Sequence, residues 1–194
     1  MPIVHVEDGE RRAMRAHWGL VPFWAKTRSI GYRMINARSE TAHSSGAFRA
    51  AMRKRRCIVP MDGWYEWKKI ERGKQPYRFH RADERLIAVA GLFEHWMCPD
   101  TGEVLDSFTI LTTEPNAMAG DIHDRMPVLL LETDWEQWLD PGEQDSRAMT
   151  QLCLPWGRDD LVVTPVSKAV GNVRNNSKDL IEPIDLVPQQ GTLF

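Results

Sequence analysis

Hydrophobic positions fall in short runs along this chain, and most runs carry the alternation or the brief continuous apolar stretch of β-strands. Residues 3–7 and 12–18 are β-compatible and flank a turn at Asp8-Gly9. Residues 57–60 are apolar and short. Residues 64–69 and 76–81 flank Gly73 and predict a hairpin. Residues 85–93 and 107–113 are rich in Val, Ile, Thr and Phe, flank Pro99-Asp100-Thr101-Gly102, and predict another. Further strands are expected at 127–131 and 161–166. Helical spacing is rarer. Ser44 or Ser45 is placed to cap a helix running to residue 55, with Phe48, Ala51 and Met52 on its apolar face. Thr133-Asp134-Trp135-Glu136 has the capping-box pattern and begins a second helix that buries Trp135, Trp138 and Leu139. Residues 145–152 predict a third. No repeat or linker divides the chain, so the expectation is a single β-rich α+β domain over 1–186, with hairpins and a few short helices. Residues 187–194 are expected to form a loose tail.

Composition narrows the class. With 42% hydrophobic and 27% charged residues in 194, the chain has enough apolar material for a core, which excludes wholesale disorder. No apolar run approaches the ~20 residues of a membrane span, and the first residues show no signal-peptide pattern. Cys57, Cys98 and Cys153 are odd in number and widely spaced, which argues against a disulfide framework or a paired-cysteine zinc site and fits a reducing cytoplasm. Neither a metal nor a cofactor is expected. The net charge of −2 argues against bulk electrostatic binding of nucleic acid. That total conceals a split: residues 1–80 carry +10 and residues 81–194 carry −12. Such asymmetry is a hint of a polyanion-binding face; the densest positive run is residues 49–56, which a plain solvated helix face explains equally well.

Four segments carry chemistry beyond structural need. In Met34-Ile35-Asn36-Ala37-Arg38-Ser39-Glu40-Thr41, an extended backbone puts Asn36 and Arg38 on one face about 7 Å apart. An amide beside a guanidinium suits a phosphate and its sugar, although an Asx-turn with a surface Arg explains the same residues. In Asp62-Gly63-Trp64-Tyr65-Glu66-Trp67-Lys68-Lys69, Glu66 lies between two tryptophans. A carboxyl against an apolar wall has its pKa raised and exchanges protons near neutrality, whereas an exposed Glu paired across a hairpin does not. Gly120-Asp121-Ile122-His123-Asp124-Arg125-Met126-Pro127 places a histidine in a polar loop, with aspartates to orient it and Arg125 to hold an anion. Residues 166–176 combine Ser, Lys, Asn and Arg around Gly171, as an anion loop or a plain polar surface loop would.

Taken in order, these stretches resemble the SRAP family, the SOS response-associated peptidase-like or abasic site processing proteins. The matching stretches are His17-Trp18-Gly19-Leu20-Val21-Pro22, Ile35-Asn36-Ala37-Arg38-Ser39-Glu40-Thr41, Asp62-Gly63-Trp64-Tyr65-Glu66-Trp67, Asp121-Ile122-His123-Asp124-Arg125-Met126-Pro127 and Val170-Gly171-Asn172-Val173. The resemblance implies a β-rich domain with a positive cleft for single-stranded DNA, whose members link covalently to the aldehyde of an abasic site. It implies that Glu66 and His123 are catalytic, that Asn36 and Arg38 line the active site and bind phosphate, and that Arg125 contacts the DNA backbone. It places Trp67 and Trp24 near the DNA path. The family's nucleophile is a cysteine directly after the initiator methionine, whereas this sequence starts Met1-Pro2, so the expectation is a domain N-terminally incomplete relative to the family and inactive for covalent linkage. The expected partner is single-stranded DNA with abasic sites, the expected state a monomer without membrane or metal, and the expected location the cytoplasm, on the nucleoid when DNA is bound. Two other functions fit some of the residues: a non-catalytic single-stranded DNA-binding module using basic groups and Trp stacking, and a cysteine peptidase pairing Cys57 with His123, although the apolar run Cys57-Ile58-Val59-Pro60 reads better as holding a buried, inert thiol.

Overall fold

The computed structural model describes residues 1–186, and the expected tail at 187–194 lies outside the described residues. Among the described residues, eleven strands form two sheets: β1 (Pro2–Glu7), β2 (Glu10–Arg15), β3 (His17–Trp18), β4 (Asn36–Arg38), β5 (Arg56–Met61), β6 (Trp64–Ile70), β7 (Gly73–Arg81), β8 (Ile87–Met97), β9 (Val104–Thr113), β10 (Met126–Pro127) and β11 (Leu161–Pro165). The larger sheet has the order β10-β9-β8-β5-β1-β2, with β3 and β4 added along β9, and the smaller has the order β11-β7-β6. Five short helices join them: α1 (Ser39–Ala42), α2 (Arg49–Lys54), α3 (Ala117–Gly120), α4 (Trp135–Leu139) and α5 (Ser146–Thr150). The chain is a β-rich α+β fold.

The larger sheet is apolar on both faces, which is why its central strands read as continuous hydrophobic runs. On β5, Cys57 and Val59 enter one core with Phe79, Phe108 and Leu161, while Ile58 enters a second with Met52, Trp138 and Met149. The first core joins the two sheets, and the second lies under α2, α4 and α5. No described helix is long and apolar enough to cross a membrane.

Where elements depart from the sequence pattern, long-range pairing is the cause. The run expected at 12–18 breaks at Ala16, whose N–H donates to Met1 O at 2.9 Å, and β3 leaves its hairpin to pair in parallel with β9. The strand expected at 127–131 shortens to β10, because the chain switches partners: Val128 donates to Leu111 O on β9 and Leu130 donates to Ala88 O on β8. The helix expected from Ser44 or Ser45 starts only at Arg49; Ser45 Oγ accepts from Ala47 N–H in a turn around Gly46 instead of capping. The Thr133 capping box does not form. Its hydroxyl donates to the Asp134 carboxylate, and a 3₁₀ turn over Glu132–Asp134 leads into α4, with Trp135 only half-buried. At α5 the cap is Asp145, which accepts from Arg147 N–H at 2.9 Å and Ala148 N–H at 3.2 Å.

Candidate functional site

Strand β4 lies parallel to β9, with Asn36 opposite Ile110, Ala37 opposite Leu111 and Arg38 opposite Thr112. Ala37 points into the helix-side core, so its neighbours Asn36 and Arg38 both face outward, as period-two geometry requires. Arg38 is exposed and has no ion-pair partner among the described residues. Across Thr112, β10 pairs antiparallel to β9 and brings the loop of His123 and Arg125 to the same edge.

The facing wall is β6 of the smaller sheet. The chain passes from β5 to β6 through Asp62-Gly63, where only glycine fits: a Cβ on Gly63 would lie 2.5 Å from the Phe79 carbonyl oxygen. The close approach seats Trp64 opposite Phe79, their rings stacked 4.8 Å apart at 12°. Between the walls lies a cleft of about 690 Å³ lined by Asn36, Arg38, Glu66, Trp67, His123 and Arg125, among others.

Within it, Glu66 Oε2 stands 3.9 Å from His123 Nε2, with the carboxyl side chain 21% exposed and the imidazole 43%. Burial pushes the Glu66 carboxyl above its ordinary range; the His123 charge opposes that shift and the Asp124 carboxylate adds to it. The histidine is held at its other nitrogen. Nδ1 accepts from the Arg125 main-chain N–H at 3.1 Å and also lies 3.2 Å from the Asp124 carboxylate and 3.3 Å from the Arg125 carbonyl oxygen. The N–H suits a ring with Nδ1 as acceptor, and the two oxygens suit a ring with Nδ1 as donor. The loop is anchored upstream by Asn116, which accepts from Ala119 N–H at 2.9 Å and donates to Trp156 O at 3.0 Å.

Six of the seven residues singled out from sequence meet here. Trp67, at the rim of the wall, is 36% exposed. Trp24 does not line the cleft: it is exposed, and its Nε1–H donates to Gly46 O at 3.3 Å. Arg125 lines the cleft but is heavily engaged. Its Nη1 and Nη2 donate to the two Glu40 carboxylate oxygens at 2.9 and 2.8 Å, and Nη2 donates to Thr112 O at 2.6 Å. Sequence reasoning passed over Glu40 and Trp18, although both sit in the matched stretches. Trp18 lines the cleft and donates to Ile35 O at 2.8 Å. The loop at 166–176 borders a separate hollow with Arg174 and Asn175, not this cleft.

Two alternatives left open by the sequence are narrowed. In the basic run at 49–56, Arg55 pairs with Glu94 at 2.7 Å and Arg56 is buried, while Arg49, Arg53 and Lys54 are exposed and line no part of the cleft. Cys57 is fully buried, and that burial pushes its thiol far up from the ordinary cysteine range, so it is no nucleophile for His123. Burial likewise pushes the Cys153 thiol up to about 12.

The sequence model described as "SOS response associated peptidase (SRAP)" matches residues 1–173. The abasic site processing protein YoqW of Bacillus subtilis (strain 168) is 42% identical over 179 residues, covering 91% of this chain and 80% of the relative. The abasic site processing protein HMCES of Gallus gallus is 34% identical over 208 residues, covering 95% of this chain and 61% of the relative. A crystal structure of a protein from Bacteroides thetaiotaomicron superposes with a TM-score of 0.84 at 28% identity, covering 94% of this chain and 80% of that one.

Proposed function

The chain belongs to the SOS response associated peptidase (SRAP) family, and from that premise we propose that its cleft recognises abasic sites in single-stranded DNA. The observation that carries the proposal is the Glu66–His123 pair, 3.9 Å apart, set across a cleft from the exposed Arg38. Relatives named as abasic site processing proteins support it.

An abasic deoxyribose lacks a base, so recognition falls on phosphate, sugar and neighbouring bases. Arg38 supplies the cation for a phosphate, Asn36 an amide for the sugar, and Trp67 a face on which an adjacent base stacks. The sugar exists mainly as a closed hemiacetal, and opening it moves one proton from the C1′ hydroxyl and delivers one to O4′. The Glu66–His123 pair has the parts for that exchange. As imidazolium, His123 gives its Nε2 proton to O4′, and ionised Glu66 takes the hydroxyl proton, which leaves the aldehyde.

The test measures the affinity of the chain for a labelled single-stranded oligonucleotide carrying one tetrahydrofuran abasic analogue, against the same oligonucleotide intact. Tighter binding of the abasic strand is expected, and Arg38→Gln should weaken it. Equal affinity for both strands would overturn the proposal. Borohydride trapping on a natural abasic site separates plain binding from covalent capture.

A further inference from the structure

Glu40 has no place in the function described so far, yet it sits between the two arginines of the cleft. We propose that Glu40 is a positioning residue: it locks the Arg125 guanidinium and, through Arg125, seats the ring of His123. The inference rests on the cleft being the DNA site.

The contacts form one chain. Both Glu40 oxygens accept from Arg125, at 2.9 and 2.8 Å, in the bidentate geometry that fixes the plane of a guanidinium. A third bond from Nη2 to Thr112 O ties that plane to β9, at the residue opposite both Arg38 and Pro127. The Arg125 side chain is 17% exposed, and its Nε is buried without a partner among the described residues, so Glu40 and Thr112 supply its seen anchors. The main-chain N–H of Arg125 then donates to His123 Nδ1, which aims Nε2 at Glu66. Burial pushes the Glu40 carboxyl up, but the Arg125 hydrogen bonds and the charges of Arg125 and Arg38 more than reverse it, so it stays ionised.

Charge gives the second half of the argument. A site selected only for phosphate affinity gains nothing from a carboxylate between two guanidinium groups, because it neutralises one of them. Its contribution is therefore orientation. Removing it should free positive charge for any single strand while loosening the histidine whose Nε2 serves O4′ of the abasic sugar.

Two readouts on the full chain test this. Long-range ¹⁵N spectra of the neutral His123 ring should show one tautomer in the wild type, with Nδ1 as acceptor. Glu40→Ala and Glu40→Gln should show a mixture, and Glu40→Asp should restore much of the single form. In parallel, the preference for the tetrahydrofuran strand over the intact strand should fall about fivefold in Glu40→Gln, with affinity for the intact strand unchanged or higher. An unaltered His123 tautomer in folded Glu40→Gln overturns the proposal, as does an equal loss of affinity for both strands. If the wild type shows no abasic preference, the DNA reading fails, while the tautomer comparison still decides the role of Glu40.

Discussion

At the scale of the residue, Glu66 carries the sharpest consequences. Its carboxyl is pushed up by burial in a wall formed with Trp64 and Tyr65, and the His123 charge only partly offsets this. Glu66→Gln keeps the shape and removes the proton exchange. Ring opening of an abasic oligonucleotide labelled with ¹³C at C1′, read from exchange between its hemiacetal forms, should then slow about 10²- to 10⁴-fold relative to the wild type. The same shift makes a prediction about stability. A carboxyl whose folded pKa is raised favours the fold while protonated, and that contribution is lost as pH rises through the folded value. Wild type and Glu66→Gln should therefore melt at similar temperatures near pH 4, and the variant should melt higher as the pH passes neutrality. A constant difference in melting temperature across that range would show that ionisation of Glu66 does not cost stability. Its type and its tryptophan neighbours made Glu66 legible in the sequence; its opposition to His123, fifty-seven positions along, is set by sheet pairing that no local pattern records.

At the scale of the element, Arg56 shows how a charge run misleads. In the sequence it closes a basic stretch that looks like a solvated helix face. In the fold it is the first residue of β5, buried, and it donates to the carbonyls of Met52 and Arg53 at the end of α2. It also donates to the carbonyl of Trp138 in the last turn of α4 and to those of Asp140 and Glu143 beyond it. One guanidinium thus satisfies carbonyls that the ends of two helices leave without intrahelical partners, and it lies over the Trp138 ring at 5.8 Å. Arg56→Met should remove these bonds and leave buried carbonyls without donors, lowering stability by about 3 kcal/mol in urea denaturation, with Arg56→Lys intermediate. The partners lie 82 to 87 residues away on the α4 side, so the sequence could not announce them. Hairpins fared better, because β6–β7 and β8–β9 pair with their nearest neighbours across turns marked by glycine. The three-residue strand β4 carries too little alternation to be recognised, yet it aims Asn36 and Arg38, and β3 read as the end of the first hairpin because its parallel pairing with β9 leaves no local mark.

At the scale of the whole molecule, the split of +10 and −12 between the two parts of the chain resolves into a few cations that matter. Parallel pairing of β4 with β9 and antiparallel pairing of β10 with β9 bring Arg38 from the basic part beside Arg125 and His123 from the acidic part. Within the basic run, Arg55 is held by Glu94 and Arg56 by helix carbonyls, which leaves Arg49, Arg53 and Lys54 exposed at α2, and Glu40 neutralises much of Arg125. None of those three lines the cleft, so Arg38, exposed and unpaired among the described residues, is the better account of binding there. Salt dependence separates the two. Each phosphate neutralised on a single strand adds about 0.7 to the steepness with which log affinity falls against log salt. Arg38→Gln should reduce that slope by about 0.7 on the tetrahydrofuran oligonucleotide. Arg53→Gln and Lys54→Gln, exposed on α2 and absent from the cleft wall, should leave it unchanged. Were the α2 substitutions to flatten the slope as much as Arg38→Gln, the DNA path would have to run over the helix layer, and the cleft between the sheets would lose its claim to the strand.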